Sequence, residues 1–176
     1  MAKSKMNKFS LSNYSIRIVF PKINGDAAGS IEYPDSGNIR NFPMVEIGGE
    51  GDYIGSASVA RSTNIWTKET DATGAYVFNQ NLDRSGEVSV DIKQVSDKVL
   101  NLYYYSTSIY ENTNLQGGAY ISIQRNGETI VECEDCFIEK VPNLPFQAAA
   151  QNLSWRFLSG RITYSNNFVV PSDETI

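Results

Sequence analysis

The chain has 176 residues, 41% hydrophobic and 20% charged, a size and balance that suit one soluble domain whose core needs no disulfide or metal. Its net charge of −5 argues against a protein that holds nucleic acid, because phosphate binding gathers Lys and Arg. With no histidine in the chain, the commonest general base and metal ligand is missing.

The opening "MAKSKMNKFSLSNYSIRIVF" carries Lys3, Lys5 and Lys8 but lacks a signal peptide's apolar stretch. No run of about 18 apolar residues occurs, so synthesis in the cytoplasm without membrane insertion is expected. β-Branched and aromatic residues alternate through 15–20, 53–69, 75–80, 86–94, 119–125, 129–138 and 153–164, predicting strands. Between the first two, residues 21–43 are rich in Gly, Pro, Asp and Ser and predict an arm or long loop. A hairpin turn is expected at 70–74, where Gly74 can take positive φ. Asn126-Gly127 predicts a two-residue turn of type I′.

In 86–94 the alternation is clean. Val88, Val90 and Ile92 fall on one face, Glu87, Ser89, Asp91 and Lys93 on the other. One helix follows, capped by Ser96 or Asp97, with Val99, Leu100, Leu102, Tyr103 and Tyr104 as its apolar face, ending near Asn112. The fold expected is mainly β: two packed antiparallel sheets in a sandwich or barrel-like arrangement with one flanking helix. Residues 1–46 form an N-terminal strand and extended arm, 47–164 the β domain and 165–176 a C-terminal tail.

Sites of chemistry are scarce. Cys133 and Cys136 are two ligands where structural zinc wants four, and three apart on a regular strand they point to opposite faces. Glu132 and Glu134 share a strand face but do not grip a substrate from two sides, and Asp135 adds nothing to the pair. The glycines of "IGGEGDYIG" (47–55) do not fall as a phosphate loop, and no helix follows them. Asn152-Leu153-Ser154 fits a glycosylation sequon, without meaning outside a secretory route. Tyr103, Tyr104, Tyr105 and Tyr110 on a helix suit core and interface positions better than base stacking. No catalytic residue, metal or cofactor is assigned, and the chain is not expected to be an enzyme.

Four motifs stand in a telling order: "NIWTKETDATG" (64–74), "NLDRSGEVSVDIKQVSDKVL" (81–100), "CFIEKVPNLPF" (136–146) and "LSWRF" (153–157). An Asn-x-x-Arg-Ser-Gly turn leads into an alternating strand and a helix; a Lys-x-Pro segment then ends in Phe before a strand carrying Trp. In this order the sequence resembles the tail tube proteins of contractile-tailed bacteriophages over about residues 47–164. Residues 15–46 are longer and more loop-rich than that family's opening strand.

The resemblance implies a subunit of the virion's tail, assembled in the host cytoplasm into hexameric rings that stack as a hollow tube. Sheets of neighbouring subunits join in one large barrel, with the helix outside. Its partners would be itself, the sheath, tape measure, baseplate and tail terminator proteins, while DNA passes through without specific binding. Glu87, Ser89, Asp91 and Lys93 would then face the lumen beside Asn152, Ser154 and Arg156. The hairpin through Thr70, Asp71, Ala72, Thr73 and Gly74 would reach an adjacent ring. Alternatives are the tube of a DNA-free, phage-derived injection system, or a small β-sandwich that binds a ligand such as carbohydrate. The last needs a concave aromatic site, whereas Trp66 and Trp155 alternate with polar neighbours as core residues do.

Overall fold

The computed structural model of the chain describes residues 14–23, 31–48, 52, 54–111 and 115–165. In chain order its strands are β1 (Tyr14–Val19), β2 (Lys22–Ile23), β3 (Ile31–Glu32), β4 (Met44–Ile47), β5 (Ile54–Arg61), β6 (Trp66–Thr70), β7 (Tyr76–Gln80) and β8 (Gly86–Lys93). Helix α1 (Lys98–Tyr110) precedes β9 (Ala119–Arg125), β10 (Glu128–Lys140) and β11 (Asn152–Tyr164). Seven strands form one antiparallel sheet in the order β4-β1-β9-β10-β11-β8-β5, while β2–β3 and β6–β7 pair as separate ribbons. The fold is mainly β with one flanking helix. Its strands gather into a single large sheet and two small ones, with no closed barrel among the described residues.

Alternation decides the sheet's faces. Val88, Val90 and Ile92 of β8 are fully buried, as are Leu153, Trp155 and Phe157 of β11, and Val90 stands opposite Trp155 in register. Ile16 and Ile18 of β1, with Val45 and Ile47 of β4, extend the same core. Helix α1 covers it. Val99 and Leu102 are buried in the cluster, Tyr103 meets Trp155 edge-on at 4.6 Å between ring centroids, and Tyr105 meets Phe20 at 5.4 Å. Leu100 and Tyr104, expected on the apolar face, are 70% and 68% exposed. At 100° per residue they form an i, i+4 stripe turned away from Val99 and Leu102.

The helix start follows the expected chemistry. The Ser96 hydroxyl accepts a hydrogen bond from the Lys98 N–H at 3.3 Å, and its carbonyl accepts one from Val99. The helix ends at Tyr110, two residues before the expected end near Asn112, which itself lies outside the described residues, as do the first 13 residues and the tail 166–176. Asn126 and Gly127 take φ of 52° and 84° between paired Arg125 and Glu128, the turn that an Asn-Gly pair favours.

Three expectations are corrected. The run 53–69 is two strands: β5 joins the large sheet and β6 does not. Trp66, expected in the core, is 55% exposed because its strand leaves the sheet; Trp155 alone of the pair is buried. Cys133 and Cys136 do not point apart. Opposite them β9 advances from Ile121 to Ala119, two residues against three, and Asp135 takes up the surplus at φ 51°. This bulge turns both thiols into the core, where each is a free cysteine.

Candidate functional site

The polar side of β8 and β11 is a continuous wall. The register sets Asn152 opposite Lys93, Ser154 opposite Asp91, and Arg156 opposite Ser89, with Leu158 beside Glu87. All seven residues singled out from the sequence lie on this exposed face, which β5 extends through Ser56 and Ser58. The sequence signal for both strands was alternation, and alternation sufficed.

The charges of Glu87, Asp91 and Arg156 are each engaged within the wall. Ser56 and Ser154 both donate hydroxyl hydrogen bonds to the Asp91 carboxylate, from strands on either side of β8. The Arg156 guanidinium donates two hydrogen bonds to Glu87, and its Nε stands 3.0 Å from Glu139 Oε2. The Glu87 hydrogen bonds, then the nearby Glu139 charge, raise the Arg156 pKa above its ordinary value. Glu139 was not singled out beforehand. The bulge at Asp135 shifts the phase of β10, so counting from Cys133 puts Glu139 on the core face, whereas counting from Cys136, beyond the bulge, puts it on the wall.

An open cavity of about 640 Å³ lies beside this wall on the β10 side, lined by Glu139, Lys140, Pro142, Asn143, Ser154 and Arg156. The Lys-x-Pro segment forming its rim is pinned from the core side. Gln94 donates its side-chain amide to the Pro145 carbonyl, and the Tyr103 hydroxyl donates to the Pro142 carbonyl at 2.8 Å. The motif residues Gln94 and Pro142 are therefore parts of one arrangement.

The second surface is a projecting hairpin. β6 and β7 continue the β5–β8 pair as one long ribbon, since Ser62 donates its N–H to Ser85 and Asn81 to Ile65 between the two ladders. At this junction the Asn81 side chain accepts from the Asp83 N–H and the Asp83 side chain from the Ser85 N–H. Two successive Asx turns thus steer the ribbon off the sheet, which gives "NLDRSG" its local purpose. Every residue of β6 and β7 is exposed. Trp66, Lys68, Phe78 and Tyr76 share one face, with Tyr76 and Phe78 in edge contact at 5.6 Å and the Lys68 ammonium 5.3 Å from the Tyr76 ring.

The hairpin tip holds Thr70, Asp71, Ala72, Thr73 and Gly74. Asp71 Oδ1 accepts from the Thr73 hydroxyl, the Thr73 N–H and the Ala75 N–H, and these bonds, the hydroxyl's foremost, lower its pKa. Gly74 takes φ of 88° in open space. The third surface is the pair of sheet edges, β4 at one end and β5 at the other.

The other residues weighed for chemistry are occupied structurally. Glu132 accepts from the Tyr120 hydroxyl at 2.9 Å. Among the described residues no group of three or more Asp, Glu or Cys stands ready for a metal ion, and no helix is long and apolar enough to cross a membrane. Gly48 donates its N–H to Asp52, while 49–51 and Tyr53 of the glycine-rich stretch lie outside the described residues.

Two sheet edges that no described strand covers, a hairpin with one aromatic face held out in solvent and a broad polar wall are features that suit a subunit made for assembly. The family model of the bacteriophage PhiTE tail tube protein matches residues 41–165, and the chain belongs to that family. It is a structural component of a phage tail. No curated protein matches the chain. Among solved structures it is similar to the cap that terminates the tube of the anti-feeding prophage, at 11% identity and a TM-score of 0.46, over 94% of this chain and 95% of that one.

Proposed function

We propose that this chain is the repeating subunit of a contractile tail tube, forming hexameric rings whose stack is the conduit for genome ejection. The observation that carries the reading is the open-edged seven-stranded sheet. An edge strand as long as β5 is a template for another chain. Pairing the β5 edge of one copy with the β4 edge of the next is a head-to-tail contact, and such contacts close into rings. A sheet continued through many strands encloses a channel rather than a packed core.

In this arrangement the wall of Glu87, Ser89, Asp91, Lys93, Asn152, Ser154 and Arg156 faces the lumen. The hairpin tip from Thr70 to Gly74 engages an adjacent ring, with its aromatic face as the buried part of the contact. Sheath, tape measure, baseplate and terminator proteins are the further partners. The test is negative-stain microscopy of the purified chain. Stacked rings with sixfold end-on views support the reading, and a monodisperse monomer at high concentration contradicts it.

A further inference from the structure

The charges around Arg156 form a device within that conduit, and the inference rests on the tube reading. Arg156 sits in the middle of the wall, between Glu87 of β8 and Glu139 of β10, and contacts both carboxylates. With Lys140 it also lines the cavity beside the wall. An exposed Arg beside a Lys, with the Asn143 amide as a further hydrogen-bonding group, is the donor set that grips a phosphate. Here the guanidinium is already bound by two carboxylates. Exposed ion pairs add little to stability, so the larger effect of this arrangement is on what the wall presents to a passing polyanion.

We propose that Glu87 and Glu139 mask Arg156 from the phosphates of duplex DNA, and that removing the mask turns the wall from a sliding surface into a retaining one. Repetition magnifies the effect: one freed guanidinium per subunit recurs around every ring, and each phosphate contact releases counterions. The retained state must therefore be strongly salt-dependent. Arg156, Lys140 and Asn143 are the groups that would hold the phosphate.

The experiment compares assembled tubes of the full chain, incubated with a short fluorescent DNA duplex and pelleted at several salt concentrations. Wild-type tubes should retain little duplex. The double variant Glu87→Gln/Glu139→Gln should retain at least about tenfold more at 50 mM salt, lost by about 200 mM. Adding Arg156→Gln should return retention to the wild-type level, which a change of bulk charge alone would not do. A control with the same charge change elsewhere, at exposed Glu111→Gln/Glu128→Gln, should behave as wild type. If the double variant fails to assemble, Glu139→Gln alone, which leaves Arg156 one partner, should show intermediate retention. Intact tubes whose double variant retains no more duplex than wild type overturn the masking while leaving the tube reading in place. Equal retention by the Glu111/Glu128 control also overturns it. Failure of the wild-type chain to form tubes removes both.

Discussion

A Cβ placed on Gly86 would stand 2.2 Å from the carbonyl oxygen of Ala60 and 2.4 Å from Ile162 Cδ1. Gly86 opens β8, stands opposite both Arg61 and Ser159, and has room for hydrogen only. The glycine of "DRSG" is thus fixed by close packing of three strands. Gly86→Ala should lower stability by about 1–3 kcal/mol, the usual cost of overpacking. The denaturant midpoint should fall at an unchanged slope; an unmoved midpoint would show that the strands yield freely.

The hairpin tip gives a pH prediction. The Asp71 carboxylate is held by Thr73 and Ala75, which lowers its pKa in the folded chain. Its stabilisation of the turn is therefore complete above the ordinary aspartate pKa of about 3.9 and fades as pH falls through the lower folded value. An NMR titration should place Asp71 below 3.9, with Thr73 and Ala75 amide exchange rising over the same range. A titration at or above 3.9 would mean the turn is open in solution.

Deleting residues 68–76 removes most of the projecting ribbon and no strand of the large sheet. The product should remain folded, with near-native far-UV circular dichroism, yet form no tubes. Normal tubes from the deletion would end the assignment of the hairpin to ring stacking.

Tyr103 joins the helix to the Lys-x-Pro segment and to Trp155. Tyr103→Phe loses the bond to the Pro142 carbonyl and should cost about 0.5–1.5 kcal/mol. Tyr103→Ala loses the ring contact as well and should cost more. Equal losses in thermal or chemical unfolding would show that the hydroxyl carries the whole contribution.

Cys133 and Cys136 should be inert. They are 0% and 1% exposed, and the hydrogen bond with Cys136, with burial, raises the Cys133 pKa. A thiol reagent should label neither in the native protein and both after unfolding. Rapid native labelling would mean that the β10 bulge opens.

Much of this fold was legible because alternation is a local signal. Val88, Val90 and Ile92 and the residues between them went to the expected faces, and Asn126-Gly127 made the expected turn. What stayed hidden depends on pairing across the sheet. The bulge at Asp135 is set across the sheet, where Gly118, just before β9, lets the Cys136 backbone approach; a Cβ there would stand 2.6 Å from the Cys136 oxygen. No pattern within "CEDC" carries that information. β4 is too short for periodicity to reveal, and it is a strand because β1 pairs with it. Trp66 is misleading for a different reason. An aromatic that alternates with polar residues has the same signature whether it is buried in its own core or held out for another subunit.

The tube reading requires the polar face of β8 and β11 to be the inside of a ring closed through β4 and β5. Helical reconstruction of the purified tube by cryo-electron microscopy tests it most directly. The predicted density has β4 and β5 of neighbouring subunits hydrogen-bonded, with Glu87, Asp91, Ser154 and Arg156 on the inner wall. A tube that places these residues on its outer surface, or leaves both edges unpaired, would contradict it.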